Sequence, residues 1–460
     1  MSTAFISEPV IFETLERTST DAAAVRDVLA KARQLGGLEA PDVAVLMNVS
    51  DPGLLGELFA AAQHVKDTIY GRRLVLFAPL YVSNMCANEC TYCAFRARNR
   101  DVVRRALSQE EIVDEVRVLI DQGHKRALLV AGESYPREGF PYVLKCVDTI
   151  YGVTHGKGEI RRVNVNVAPL GHDEFRALAE REIGTYQLFQ ETYHRQTYAS
   201  VHLGGKKRDY DWRVTAMDRA MASGISDVGI GVLFGLYDWR FELLALLQHI
   251  RHLERRFGVG PHTVSVPRLE PATGSDVALH PPHPVSDVDF RKIVATLRLA
   301  VPYTGIIMST RESAHIRRET FALGVSQISA GSRTNPGGYA EDERADASQF
   351  CLGDHRSLDE VVRDVASLGY IPSFCTGCYR LGRTGRDFMD LAKPGDIKQH
   401  CDPNGLSTFL EYLIDYASPD TREVGERTIA DALAGMDDWP RERAVQLMNK
   451  VRAGDRDVYC

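Results

Sequence analysis

Nowhere in the 460 residues does an unbroken apolar stretch approach the ~20 residues needed to span a bilayer, and the mean hydropathy is negative. The opening segment, up to Glu16, has no basic stretch ahead of an apolar core. It carries Glu8, Glu13 and Glu16, so it does not read as a signal or transit peptide. Positive charge is not in excess either. The 55 Lys and Arg stand against 62 Asp and Glu, a net charge of −7, which disfavours a nucleic acid or an anionic membrane as partner. There is no low-complexity tract and no repeat beyond an alternation of strand and helix patterns. The nine cysteines are odd in number and six of them fall in two tight groups, which suits a reducing cytoplasm better than a disulfide framework. What remains is ordinary, 44% hydrophobic and 25% charged, on a chain long enough for one large α/β domain with an appendage.

Residues 1–71 read as a helical extension. Thr20 and Asp21 are placed to cap one helix, which Gly36-Gly37 would end; Asp51-Pro52 opens another that runs to Tyr70, ahead of Gly71. From Arg72 the pattern turns to strand, loop and helix. Short, largely apolar runs at 74–81, 127–131, 162–167, 185–190, 227–233, 263–269, 305–309 and 326–330 predict parallel strands covered on both faces. Between them, Ser108 and Glu111 form a capping box for a helix ending near Gly123. Residues 238–257 carry Leu243, Leu244, Leu247, Ile250 and Leu253 on one helical stripe that stops at Gly258. Eight such alternations within 72–340 predict an α/β fold, a (β/α)8 TIM-type barrel. After Gly331 the strand rhythm ends. The glycine-rich stretch 331–338 lacks the lysine of a phosphate-binding loop and reads as a mobile connection. It leads to a mainly helical C-terminal region, 341–460, with helices near 358–368, 406–416 and 441–452.

Two groups of three thiols stand out, each without a fourth ligand. Cys86, Cys90 and Cys93 follow the first strand at CX3CX2C spacing, in a loop position where barrels of this kind carry their active groups. Three thiolates hold three corners of a 4Fe–4S cube and leave one iron open to a substrate or cofactor. Structural zinc is the competing reading, but zinc usually takes four closed ligands, and no fourth Cys or His lies nearby in sequence. Cys375, Cys378 and Cys401, at CX2CX22C spacing, repeat the arrangement. A zinc ribbon would add a ligand after Cys401, where the next cysteine is Cys460, so a second 4Fe–4S cluster with an open iron fits these thiols better. The two clusters are expected at opposite ends of the barrel, about 20 Å or more apart.

The first loop, with Tyr92 before its last thiol, resembles the radical S-adenosylmethionine (SAM) superfamily. That resemblance implies that SAM chelates the open iron and, after one-electron reduction, is cleaved to methionine and a deoxyadenosyl radical. Further positions follow the family in order. Ala131-Gly132-Glu133 stands for a Gly-Gly-Glu-like element, with Ala in place of its first Gly; Gln190-Glu191-Thr192 and Arg213 match SAM contacts; Gly229-Ile-Gly231 resembles the adenine-side strand. The resemblance thus assigns Tyr92, Glu133, Glu191, Arg213 and Gly231 to the cofactor. The stretches around Cys86–Cys93, Phe189-Gln-Glu-Thr-Tyr-His194 and Thr376-Gly-Cys-Tyr-Arg-Leu-Gly-Arg-Thr-Gly385 narrow it, over nearly the whole chain, to the tyrosine lyases of FeFe-hydrogenase maturation. These belong to the biotin synthase/2-iminoacetate synthase-like group.

Membership there implies cleavage of the L-tyrosine Cα–Cβ bond to p-cresol and dehydroglycine, and conversion of dehydroglycine to carbon monoxide and cyanide on iron at the second cluster. It also implies an extra iron held by His262, a flavodoxin- or ferredoxin-type reductant, and hydrogenase maturation factors as partners. Taken alone, His262 reads as a packed strand histidine. Arg311, with Ser309 after the seventh strand, resembles the arginine that takes the substrate carboxylate; a rim ion pair with Glu312 competes. Two other functions stay open: release of dehydroglycine for thiamine thiazole synthesis, and a C-terminal trio that carries iron or docks a partner without chemistry. His280-Pro-Pro-His283 reads as a stiffened loop, Cys146 as core, residues 251–256 as a charged helix face, and Cys351 and Cys460 as thiols without a partner pattern.

Overall fold

The computed structural model describes residues 3–18, 21–341 and 344–460. Thr20, one of the two predicted cap residues, lies outside them; Asp21 caps the helix Ala22–Ala32, its carboxylate accepting the Ala24 N–H at 2.8 Å. The helix Pro52–Tyr70 follows as expected, and Gly71, at φ 60°, turns the chain from it into the first strand.

Eight parallel strands close the barrel: β1 Arg73–Ser83, β2 Arg126–Ala131, β3 Arg162–Asn166, β4 Tyr186–Gln187, β5 Val228–Gly231, β6 Thr263–Ser265, β7 Gly305–Met308 and β8 Val325–Ser329. Closure is made by β8 against β1, with Val75 opposite Gln327 and Phe77 opposite Ser329. Each predicted strand is present. β4 is shorter than expected as a ladder, yet its chain stays in register, because the N–H groups of Leu188 and Gln190 still reach the carbonyls of Gly229 and Gly231. The capping box of Ser108 and Glu111 opens the helix Gln109–Asp121, and Gly258 ends Trp239–Phe257 in the left-handed conformation.

Alternation along β1 sets up the two ends of the lumen. Arg73 and Val75 face a cavity at the N-terminal mouth, and Phe77, Pro79 and Tyr81, on the same face, line a cavity at the C-terminal mouth. Eleven residues of extended chain separate the two ends of this strand by about 30 Å.

The C-terminal region departs from the expectation in three ways. A ninth strand, β9 Ile371–Ser373, pairs with the free N-terminal half of β1, below the point where β2 begins to pair. Three residues with a proline among them carry no readable period, so the run was invisible as a strand. The helix expected at 406–416 begins at Ile397 and runs through Pro403. Burial of Cys401, Pro403, Leu406 and Phe409 against neighbouring elements outweighs the single backbone bond that the proline removes. Finally, 331–338 is packed rather than mobile. Ser332, Thr334 and Asn335 are buried, and the Glu115 carboxylate accepts the N–H groups of Tyr339 and Ala340 at 2.9 and 2.6 Å.

Candidate active sites at the two ends of the barrel

At the C-terminal mouth, Cys86, Cys90 and Cys93 open on one cavity of about 200 Å³. Their loop is clamped from both sides. On one, Glu89 exchanges backbone hydrogen bonds with Gly204 and Leu203, and the Thr91 N–H reaches Val201 at 2.9 Å. On the other, Gly132 lies so close to Met85 that a Cβ would sit 2.2 Å from its carbonyl oxygen, which explains glycine at that position. Ala131 ends β2 without conflict. The thiols are free, and burial raises all three pKa values, that of Cys93 to about 11.

The predicted cofactor residues meet above this loop. Arg213 donates to Glu133 at 2.9 Å and to the Phe189 carbonyl at 2.8 Å, and lies 3.5 Å from Glu191. Lys207 and Asn88, which the sequence did not single out, complete the set. Lys207 donates to Glu191 at 2.7 Å, and Asn88 Nδ2 donates to Glu133 at 2.6 Å. Burial works against each charge, but the two cations outweigh it and hold Glu133 below the usual carboxylate range. Lys207 stays above the usual lysine value because Glu191, Cys90 and Glu133 offset its burial and the repulsion of Arg213. Lys207 was unreadable because the run Lys206-Lys207-Arg208 has the look of a solvated turn. Glu191 adopts φ 72°, a strained backbone for a non-glycine residue and one often retained at functional positions. The Tyr92 hydroxyl pairs with His202 Nε2 at 2.8 Å while its ring lines the cavity. Gly231 is a close-approach glycine, since a Cβ would meet Phe189 and the Ser265 carbonyl at 2.8 Å.

Arg311 and Ser309 line the same cavity. The rim pair with Glu312 does not form, because Glu312 bonds Arg268 instead. Among the described residues no carboxylate pairs with Arg311; its guanidinium lies 3.3 Å over the Phe350 ring, and the Ser309 hydroxyl accepts its backbone N–H at 3.3 Å.

At the N-terminal mouth, β9 delivers Cys375, the short helix Gly377–Arg380 carries Cys378, and the helix Ile397–Asp415 carries Cys401. All three line a smaller cavity of about 50 Å³ together with His262. Burial lifts the Cys375 thiol to about 11, whereas Cys378 donates to Cys401, so Cys401 ionises first of that pair. The His262 Nδ1 lies 3.7 Å from Asp227, its Nε2 is 3.5 Å from the Tyr379 hydroxyl, and burial lowers the pKa of the ring. A carboxylate behind an imidazole is the usual support of a metal-bound histidine; Asp227 too went unread in the sequence. Arg73, Arg126 and Arg383 line this cavity, and Arg162 lies 3.2 Å over the Tyr379 ring. The Nε of each of these four arginines is buried without a partner among the described residues.

Cys460, read as a thiol without a partner, docks beside this trio. Its N–H reaches Asn404 at 2.8 Å, and its carbonyl accepts from Asn404 at 3.1 Å and Arg383 at 2.6 Å. Cys146 is buried and Cys351 exposed. Among the described residues no three Cys, His, Asp or Glu side chains close around one ion. A 4Fe–4S cube does not require it, since its protein ligands bind separate irons. At both ends, three free thiols around one cavity, one buried and two partly buried, are a donor set suited to such a cluster.

The model of the Radical SAM superfamily matches residues 80–247, and that of the Biotin and Thiamin Synthesis associated domain matches 265–371. The chain is 32% identical to 2-iminoacetate synthase of Escherichia coli (strain K12) over 360 residues, which cover 77% of this chain and 92% of that protein. Nearly a quarter of this chain thus has no counterpart there. A crystal structure of HydG, a maturase of the [FeFe]-hydrogenase, superposes with a TM-score of 0.95 at 46% identity, covering 99% of this chain and 100% of that one. The FeFe-hydrogenase maturase HydG from Carboxydothermus hydrogenoformans gives 0.85 at 39% identity, covering 97% and 99%.

Proposed function

The chain belongs to the radical SAM lyases that include HydG and 2-iminoacetate synthase, and on that premise we propose a two-stage reaction. L-Tyrosine is cleaved at Cα–Cβ to p-cresol and dehydroglycine, and dehydroglycine is converted to carbon monoxide and cyanide on iron, for the FeFe-hydrogenase active-site cluster. The observation that carries this reading is the pair of thiol trios opening on the two ends of one lumen. When bound, a 4Fe–4S cluster with SAM supplies a deoxyadenosyl radical at the first trio, and a second cluster with an extra iron supplies the metal that holds the diatomic ligands.

The chain's own residues have separable roles. Cys86, Cys90 and Cys93 hold the first cluster. Glu133, Glu191, Arg213 and Lys207 form a charge-balanced cradle for the amino and carboxylate groups of SAM, and Gly231 leaves room for adenine. Arg311, the unpaired guanidinium, takes the tyrosine carboxylate, because that anion would be costly to bury unpaired; Ser309 steadies its backbone. Gln187 lines the first cavity and Gln327 the second, with buried Thr263 near both, and these polar groups suit the passage of a small polar fragment away from bulk water. Cys375, Cys378 and Cys401 hold the second cluster, and His262, oriented by Asp227, holds the extra iron. The dehydroglycine anion contains the atoms of one carbon monoxide, one cyanide and one water, so the second stage balances without an added oxidant. The unsaturated arginines favour that anion.

The same reading divides the chain into a helical extension (1–71), a radical SAM barrel (72–340) and a cluster domain (341–460). It places the protein in the cytoplasm with a flavodoxin- or ferredoxin-type reductant and hydrogenase maturation factors. Among the described residues no helix is long and apolar enough to cross a membrane. The test is anaerobic turnover with SAM, reductant and tyrosine, scoring p-cresol, cyanide and carbon monoxide together. All three products are expected. p-Cresol alone would reduce the function to dehydroglycine release, and absence of p-cresol would overturn it.

A further inference from the structure

We propose that Gln349 is a positioning residue that sets the electron affinity of the cluster held by Cys86, Cys90 and Cys93 and links it to the substrate pocket. The proposal rests on the reading that this trio holds a 4Fe–4S cluster.

Gln349 sits in the segment that crosses the C-terminal mouth of the barrel after β8. Its backbone is fixed there, the N–H donating to the Thr334 carbonyl at 3.0 Å. Its side chain enters the cavity and makes two contacts, Nε2 to the Cys93 sulfur at 3.8 Å and Oε1 from the Tyr81 hydroxyl at 2.7 Å. The orientation of the amide follows from chemistry. The opposite flip would aim a carbonyl oxygen at a thiolate, whereas this one aims an N–H at it and satisfies the phenol as donor. Hydrogen bonds to cluster sulfurs are among the protein's means of tuning reduction potential, since a donor favours the more negative, reduced state.

The other end of the contact chain is the substrate side. Tyr81 is the last side chain of β1 to line the cavity, and Phe350, next to Gln349, lies beneath the guanidinium of Arg311. One dipeptide therefore touches both the cluster loop and the arginine assigned to the tyrosine carboxylate. Movement of Arg311 and Phe350 when that carboxylate arrives is transmitted to the N–H at Cys93.

The test is an EPR-monitored anaerobic redox titration of reconstituted full-length protein, with and without tyrosine, alongside iron and sulfide counts. Gln349→Leu is expected to move the midpoint of the first cluster to more negative potential, and Gln349→Glu further, because it replaces a donor with an anion. Both should lose any shift that tyrosine produces in the native protein. Tyr81→Phe, which frees the amide, should give a smaller shift of the same sign, and it decides the matter should the Gln349 variants fail to load iron. Unmoved midpoints in fully loaded variants overturn the role of Gln349. A native protein with no 4Fe–4S signal at Cys86, Cys90 and Cys93 overturns the underlying assignment instead.

Discussion

The two mouths of the barrel use the same thiol arithmetic and opposite electrostatics. At the C-terminal mouth Glu133 and Glu191 are paired against Arg213 and Lys207, and the guanidinium of Arg311 has no carboxylate partner among the described residues. At the N-terminal mouth three arginines face the cavity and a fourth stacks beside it, each with a buried Nε lacking a partner among the described residues, while the carboxylate of Asp227 stands behind a histidine. A paired cradle suits a zwitterionic cofactor part plus a single substrate carboxylate. An unsaturated cationic pocket suits thiolates and anionic fragments. On the proposed function, the difference suits recognition of two organic molecules at one end and retention of small anions at the other.

Removing one thiol from each end gives the sharpest contrast. Cys90→Ala should abolish p-cresol and everything after it; p-cresol surviving in product analysis would detach radical generation from this loop. Cys378→Ala should keep p-cresol near the native rate yet release no carbon monoxide, and undiminished carbon monoxide would collapse the division of labour. Next in size, Asp227→Asn should lower carbon monoxide yield on the order of tenfold or more through loss of orientation at His262, while p-cresol is unaffected. A parallel fall in both products would make Asp227 a purely structural residue.

At the other mouth, Arg311→Ala should raise the KM for tyrosine about tenfold, the loss of a charge-assisted contact of roughly 1.5 kcal/mol. An unchanged KM would return Arg311 to the rim. A separate effect, on stability rather than turnover, concerns Glu115, which clamps the segment leading away from the C-terminal mouth of the barrel. Burial raises its pKa from 4.5 to about 7. The fold therefore favours the protonated acid. This contribution is complete below the unfolded value and fades as pH rises through about 7. Glu115→Gln should accordingly match the native protein in unfolding free energy near pH 4 and exceed it near pH 8 by up to about 3 kcal/mol, seen as a higher melting temperature. Equal melting curves at both pH values would show that Glu115 does not carry this linkage.

The eight barrel strands were legible because each is a short apolar run framed by helix caps that are local in sequence, such as Ser108 with Glu111. The cysteine trios were legible because thiol spacing within a loop is a local property as well. β9 was not, since Ile371–Ser373 becomes a strand only by pairing with β1, nearly three hundred residues earlier in the chain. Stretch 331–338 looked free because its glycines and polar residues are those of a loop; its burial depends on Glu115 and on the barrel face beneath it.

By itself the sequence determined the barrel order, the two sets of three thiols and the carboxylates and arginines that follow particular strands, because periodicity, capping and ligand spacing are written in neighbouring residues. Only the tertiary structure decided which polar groups meet: Lys207 with Glu191, Asp227 with His262, Glu312 with Arg268 rather than Arg311, and Gln349 with Cys93. Those pairings join residues tens to hundreds of positions apart. Electrostatic energy depends on distance and burial in space, and the chain encodes these only once the barrel has closed.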